Sequence, residues 1–109
     1  WYLVFCTGQH SESRLRRTGE RGEWFGTHYL IADTPYGPFL LAGDDPLVGD
    51  KPGSYYAGRI ETGLGNRPLF FAWRQYDDDG NFVGGLSNPA SVVVDDDGRL
   101  RVDVRELWD

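Results

Sequence analysis

The sequence predicts an all-β fold made of antiparallel, four-stranded sheets. Three observations carry that prediction. Short runs rich in β-branched and aromatic residues recur along the chain, separated by Gly, Pro, Asp and Asn. No segment repeats apolar residues at the spacing of an amphipathic helix. The stretch from Ser91 to Leu107 alternates apolar and polar residues around an Asp-Gly pair at 97–98, a strong short-range signal for a β-hairpin.

The elements follow in order. In Trp1–Thr7, Trp1, Leu3 and Phe5 share one face and Tyr2, Val4 and Cys6 the other. Both faces are apolar, which predicts a strand covered on both sides. From His10 to Glu23 the only apolar residue is Leu15, so this stretch reads as an exposed loop. A second strand is expected over 27–33, ended by Thr34-Pro35-Tyr36-Gly37-Pro38, where two prolines and a glycine force a turn. A short apolar run follows at 39–42. Runs at 55–61 and 68–75, joined through Gly63, Gly65 and Asn66, read as a hairpin. Asp77–Asn81 is a turn, and 82–87 a weak strand. In the last hairpin Val92 and Val94 lie on one face, and Leu100, Val102 and Val104 alternate after the turn.

Strand and turn spacing of this kind suits repeated four-stranded blades. A blade of the common propeller repeats takes roughly 40–45 residues. The 109 residues therefore supply about two, divided near 1–49 and 50–109. A closed propeller needs about four to eight, and two blades alone would leave apolar faces and edges uncovered. The chain has no Met and opens inside a β-rich run at Trp1. The expectation is a part of a longer propeller, with the remaining blades as its partners.

Composition excludes several classes. Apolar residues make up 39% and aromatics 15%, with four Trp, which is too apolar for a disordered chain. No apolar run approaches the roughly 18 residues of a membrane helix, so no membrane partner is expected. The net charge of −6 argues against nucleic acid, whose phosphates dominate binding. One Cys forms no internal disulfide and leaves the compartment open.

Few motifs carry chemistry. There is no Gly-x-Ser-x-Gly elbow, and one Cys with two His does not make a zinc set. Cys6 alternates with aromatics and reads as a core residue. Gly63-Leu64-Gly65 opens no helix and cradles no phosphate. The acidic triplets 77–79 and 95–97 lack the distal bidentate Glu of a helix–loop–helix calcium site and read as solvated turns. No metal or cofactor is expected. Glycoside hydrolysis needs two carboxylates. Glu12, Glu20 and Glu23 lie in the polar loop, and Glu23, next to Trp24 and Phe25, is the one candidate for an apolar setting that raises its pKa. Sugar sites also use aromatic platforms. Tyr56, Trp73 and His28 fall on expected strands, where each has a plain packing role as the alternative.

At Tyr55–Glu61 followed by Pro68–Gln75 the chain resembles the late blades of glycoside hydrolase family 32, the five-bladed-propeller β-fructosidases, with family 43 as the neighbouring likeness. Asp50, Gly53, Tyr56 and Ala57 resemble the family's acidic residue and glycine before a Tyr-Ala pair, and Trp73 its strand-ending Trp. Leu86-Ser87-Asn88-Pro89 and the Asp-Gly hairpin of 95–107 closing on Glu106-Leu107 keep the family's order and spacing. Upstream, Trp1–Thr7 and Thr27–Phe39, with the Thr-Pro-x-Gly-Pro turn at 34–38, resemble a blade common to both families. The chain departs from the pattern at Ala90 and Ser91, where the family has Arg and Glu, and at Ala72, where Gly is common.

The resemblance implies a retaining hydrolase acting on terminal β-fructofuranosides or related sugars, without metal or cofactor. It places the catalytic carboxylates in Asn-Asp-Pro, Arg-Asp-Pro and Glu-Cys-Pro-like motifs, none of which occurs here. By that resemblance the catalytic residues precede Trp1, Glu23 is not the acid/base, and Asp50, Tyr56 and Trp73 belong to the pocket wall. The alternatives are a non-catalytic carbohydrate-binding β module, or a structural β domain that makes protein contacts through residues 1–7 and 68–75.

Overall fold

The computed structural model describes residues 1–7, 25–43 and 46–108. Among these residues nine strands form two antiparallel sheets. The first holds β1 (Tyr2–Thr7), β2 (Phe25–Ile31), β3 (Leu40–Leu41) and β4 (Val48–Asp50). The second holds β5 (Tyr55–Thr62), β6 (Pro68–Tyr76), β7 (Phe82–Leu86), β8 (Ala90–Val94) and β9 (Leu100–Val102). The two sheets share a plan. In each, one strand pairs with a single long neighbour on one side and with two shorter strands on the other. β2 has β1 on one edge and β3 and β4 in succession on the other. β6 has β5 on one edge and β7 and β8 in succession on the other. The all-β, antiparallel prediction holds, and the sheets are consistent with partial propeller-like blades.

Local chemistry sets the turns. β2 gives way to the Thr34–Pro38 turn because Pro35 and Pro38 have no N–H to donate to a ladder. Thr34 holds it closed: its Oγ1 donates to Gly37 O at 2.9 Å and accepts from Tyr36 N at 3.3 Å. β5 returns as β6 through a 3-10 turn at Leu64–Asn66, where Gly63 N donates to Arg67 O at 2.7 Å. Between β8 and β9, Gly98 takes φ 83°, a left-handed conformation that costs glycine nothing. Asp95 N donates to Arg99 O at 2.8 Å, fixing the register of Val94 opposite Leu100.

The core lies between the sheets. Phe70, Ala72, Ala90, Val92 and Leu100 line the inner face of the second sheet and pack with Tyr55, Leu107 and Val48. Tyr29 and Leu47 of the first sheet cover the same cluster. Hydrogen bonds cross the interface. Gly58 N donates to Thr27 Oγ1 at 3.0 Å, Leu100 N to the Tyr29 hydroxyl at 3.1 Å, and the Tyr2 hydroxyl to Gly98 O at 2.6 Å. Thr27 is fully buried, so its hydroxyl is a satisfied polar group inside the core.

Three expectations differ from the structure. β1 is not covered on both sides: Trp1, Tyr2 and Leu3 are 65%, 39% and 46% exposed, and among the described residues its only strand partner is β2. Apolar composition on both faces does not say how many neighbours a strand has. β4 was not foreseen, because three residues, Val48-Gly49-Asp50, are too few to show a period. The strand after the Asp-Gly turn stops at Val102. Asp103 Oδ1 accepts from Arg105 N at 3.1 Å and starts a 3-10 turn, Val104–Leu107, that carries Val104 out of the alternation and buries Leu107 instead. The polar stretch 10–23 lies outside the described residues.

The β6–β7 turn makes one pH-dependent contact. Asp77 Oδ1 accepts from Asn81 N at 2.8 Å and from Asp79 N at 3.0 Å. The backbone bond from Asn81 is the main cause that holds the Asp77 carboxyl below its ordinary range, helped by the Asn81 side chain and Arg74. A carboxyl depressed in the folded state contributes stability above its unfolded pKa and loses it as pH falls through the folded value. The turn is therefore expected to loosen below about pH 4. The Asn81 and Asp79 amide resonances should move together in an acid titration, and Asp77→Ala should abolish that movement.

Candidate functional site

The strand register assembles an exposed aromatic strip on the second sheet. Tyr56 of β5 lies directly opposite Trp73 of β6, and Trp73 lies opposite Leu86 of β7. Opposed residues share a face. The three are 43%, 40% and 71% exposed, so this outer face presents two ring systems side by side on neighbouring strands. A β-bulge follows Tyr56, with Ala57 at φ 54°. The bulge turns β5 so that Gly58 faces inward while Tyr56 stays outside.

Asp50 ends β4 and caps the turn into β5. Its Oδ1 accepts from Ser54 N at 2.7 Å, and its carbonyl accepts from Gly53 N at 3.3 Å. Gln75 fastens this turn to β6: its backbone N–H donates to Ser54 O at 2.7 Å and its Nε2 to Gly53 O at 2.9 Å. The Asp50 turn is thus tied to β6 two residues beyond Trp73.

The other candidates lie elsewhere. His28 is on β2 in the first sheet, 2% exposed, with Nε2 hydrogen-bonded to Thr7 Oγ1 at 2.7 Å and its ring stacked on Phe5 at 5.6 Å. It has the surroundings of a packed core histidine. Glu23, with Glu12 and Glu20, lies outside the described residues. Cys6 is half-buried with Sγ 3.5 Å from Thr27 Oγ1. Among the described residues no group of three or more His, Cys, Asp or Glu converges to hold a metal.

Sequence reasoning missed two cavities. One, of about 770 Å³, is a mainly apolar wedge between β1 and β5, lined by Tyr2, Val4, Cys6, Ile60 and Leu100 among others. The other, of about 360 Å³, is polar and is walled by Arg74, Asp78, Ser87, Asn88, Leu107 and Trp108, with Leu86 of the aromatic strip at its rim. On its wall the Trp108 ring lies 5.3 Å from Tyr55 and 5.7 Å from the Arg74 guanidinium. Burial raises the Tyr55 hydroxyl's pKa, opposed by Arg74 and reinforced by Asp78. Arg74 and Trp108 are 34 positions apart in the chain, so only the turn after Asp103 brings them together.

No family model matches the chain, and no curated protein or solved structure matches it.

Proposed function

We propose that this chain is a wall segment of a retaining glycoside hydrolase of the β-fructosidase type, two adjoining partial blades of a five-bladed propeller whose catalytic carboxylates lie upstream. The observation that carries the reading is the exposed pair Tyr56 and Trp73, opposite each other across β5 and β6. Two neighbouring aromatic rings form a platform for the apolar C–H face of a sugar ring. Asp50 uses Oδ1 to cap its turn and has Oδ2 left to accept from a sugar hydroxyl. In the whole enzyme one carboxylate forms the covalent glycosyl intermediate, and a carboxylic acid protonates the leaving oxygen before activating water. The partners are a carbohydrate substrate and the remaining blades.

The 109-residue chain is therefore expected to hydrolyse neither sucrose, fructan nor aryl-glycosides, and measured turnover would sink the proposal. In the longer protein joining this segment to upstream residues, Trp73→Ala should raise KM about tenfold with kcat nearly unchanged, the signature of lost uniform binding. An unchanged KM in both Trp73→Ala and Tyr56→Ala would remove the platform.

A second reading, a non-catalytic carbohydrate-binding β module, is favoured by the core that joins the two sheets within this chain alone. Calorimetry of the isolated chain with a glycan panel separates the two. Binding that Trp73→Ala abolishes favours the module.

A further inference from the structure

The polar cavity beside Trp108 is walled by two opposite charges, a half-buried Arg74 and an exposed Asp78. The Arg74 guanidinium is half-buried over the Trp108 ring, and its Nε is buried with no hydrogen-bond partner. Among the described residues its other nitrogens have no hydrogen bond or ion pair either. Asp78 stands on the same wall, and the two side chains form no ion pair with each other. A partly desolvated charge without a partner costs free energy, and a ligand that pairs with it recovers that cost.

The two charges ask for a ligand that offers an acceptor to the guanidinium and a donor to the carboxylate. An anion drawn to Arg74 would meet the Asp78 carboxylate, and a cation drawn to Asp78 would meet Arg74. An uncharged molecule with adjacent hydroxyls satisfies both, one oxygen accepting from the guanidinium and one hydroxyl donating to the carboxylate. Trp108 packs against Tyr55 and lies under Arg74, and its exposed part, 37%, is the indole surface left for a carbon skeleton. The volume of about 360 Å³ falls within the span of small-molecule sites, roughly 300–1,000 Å³.

We infer that this cavity is a binding site for an uncharged polyol, held by Arg74 and Asp78 with its carbon face against Trp108. Successive residues of a strand point to opposite faces, so Arg74 faces away from Trp73. The inference does not depend on the carbohydrate role of Tyr56 and Trp73.

The test is a 1H–15N NMR titration of the 109-residue chain, following the Trp108 indole and the Arg74 side-chain N–H. The probes are fructose, glucose, arabinose and myo-inositol, with glucuronate and inorganic phosphate as the anionic arm. At least one polyol should give saturable shifts at Trp108 and Arg74 while the Trp73 indole stays still. Asp78→Asn, a change on an exposed turn, should weaken that binding about tenfold through loss of a charged acceptor. Trp73→Ala should leave it unchanged, so failure of the platform and failure of this site are told apart. No saturable shift with any polyol overturns the inference, as does an unchanged affinity in Asp78→Asn. Preferential binding of glucuronate or phosphate, tightened by Asp78→Asn, would overturn it in favour of an anion site.

Discussion

Phe70→Ala is expected to destabilise the chain by about 3–5 kcal/mol, near the upper end for a core aromatic. Phe70 has no exposed surface and is the largest fully buried side chain among the described residues. It sits in β6, opposite Ile60 on one neighbour and Ala90 on the other. Its ring also fills the space above Gly58. Two of these neighbours, Ala90 and Gly58, are too small to reach into the void, so the cavity would not collapse. Against a total stability of about 5–15 kcal/mol for a small domain, such a loss leaves the fold marginal. Urea denaturation should show a lower midpoint with an unchanged slope for Phe70→Leu and a much larger fall for Phe70→Ala. A loss below about 1 kcal/mol for Phe70→Ala, within the range of minor substitutions, would mean that the two sheets do not share this core.

Gly58→Ala tests the same interface from the opposite side. Gly58 is where β5 approaches β2 closely enough for its N–H to reach Thr27 Oγ1 at 3.0 Å. An added Cβ would overlap that hydroxyl and stand 2.5 Å from the Phe70 ring carbons. The constraint is steric closeness between the sheets. The expected cost is about 1–3 kcal/mol of overpacking, with further loss where the bond to Thr27 lengthens. If the overlap is the cause, shrinking the ring should relieve it. The double variant Gly58→Ala/Phe70→Leu should then be less destabilised than the sum of its single changes, by more than the roughly 0.5 kcal/mol scatter of independent sites. Strict additivity would place the cost elsewhere.

Much of the strand order is legible in the residues because each signal is local. The Asp95–Arg99 turn, the Thr34–Pro38 turn and the Gly63–Asn66 return are specified by glycines, prolines and Asx side chains acting within a few positions. Strand neighbours are not local. Trp1–Thr7 has the composition of a central strand, yet among the described residues β1 pairs with β2 alone, and nothing in its own residues shows that. The site divides in the same way. Tyr56 and Trp73 are recognisable as strand aromatics, but only the β5–β6 register sets them side by side. His28, of equal promise as a residue type, is withdrawn behind Phe5 and Thr7. Asp50 serves first as a turn cap, a role its spacing to Ser54 would have allowed one to read. Arg74, Asp78 and Trp108 carry no joint signal, because the 3-10 turn at Val104–Leu107 that unites them replaces an expected strand.

The sequence by itself determined that this chain is antiparallel all-β, where most of its strands turn, and that its acidic triplets sit in turns. Those properties follow from the side chain of each residue and its nearest neighbours. The tertiary structure alone decided which strands pair, how the sheets meet at Gly58 and Thr27, and which charges wall the cavity beside Trp108. These depend on contacts between residues distant in the chain, which no local pattern of side chains records.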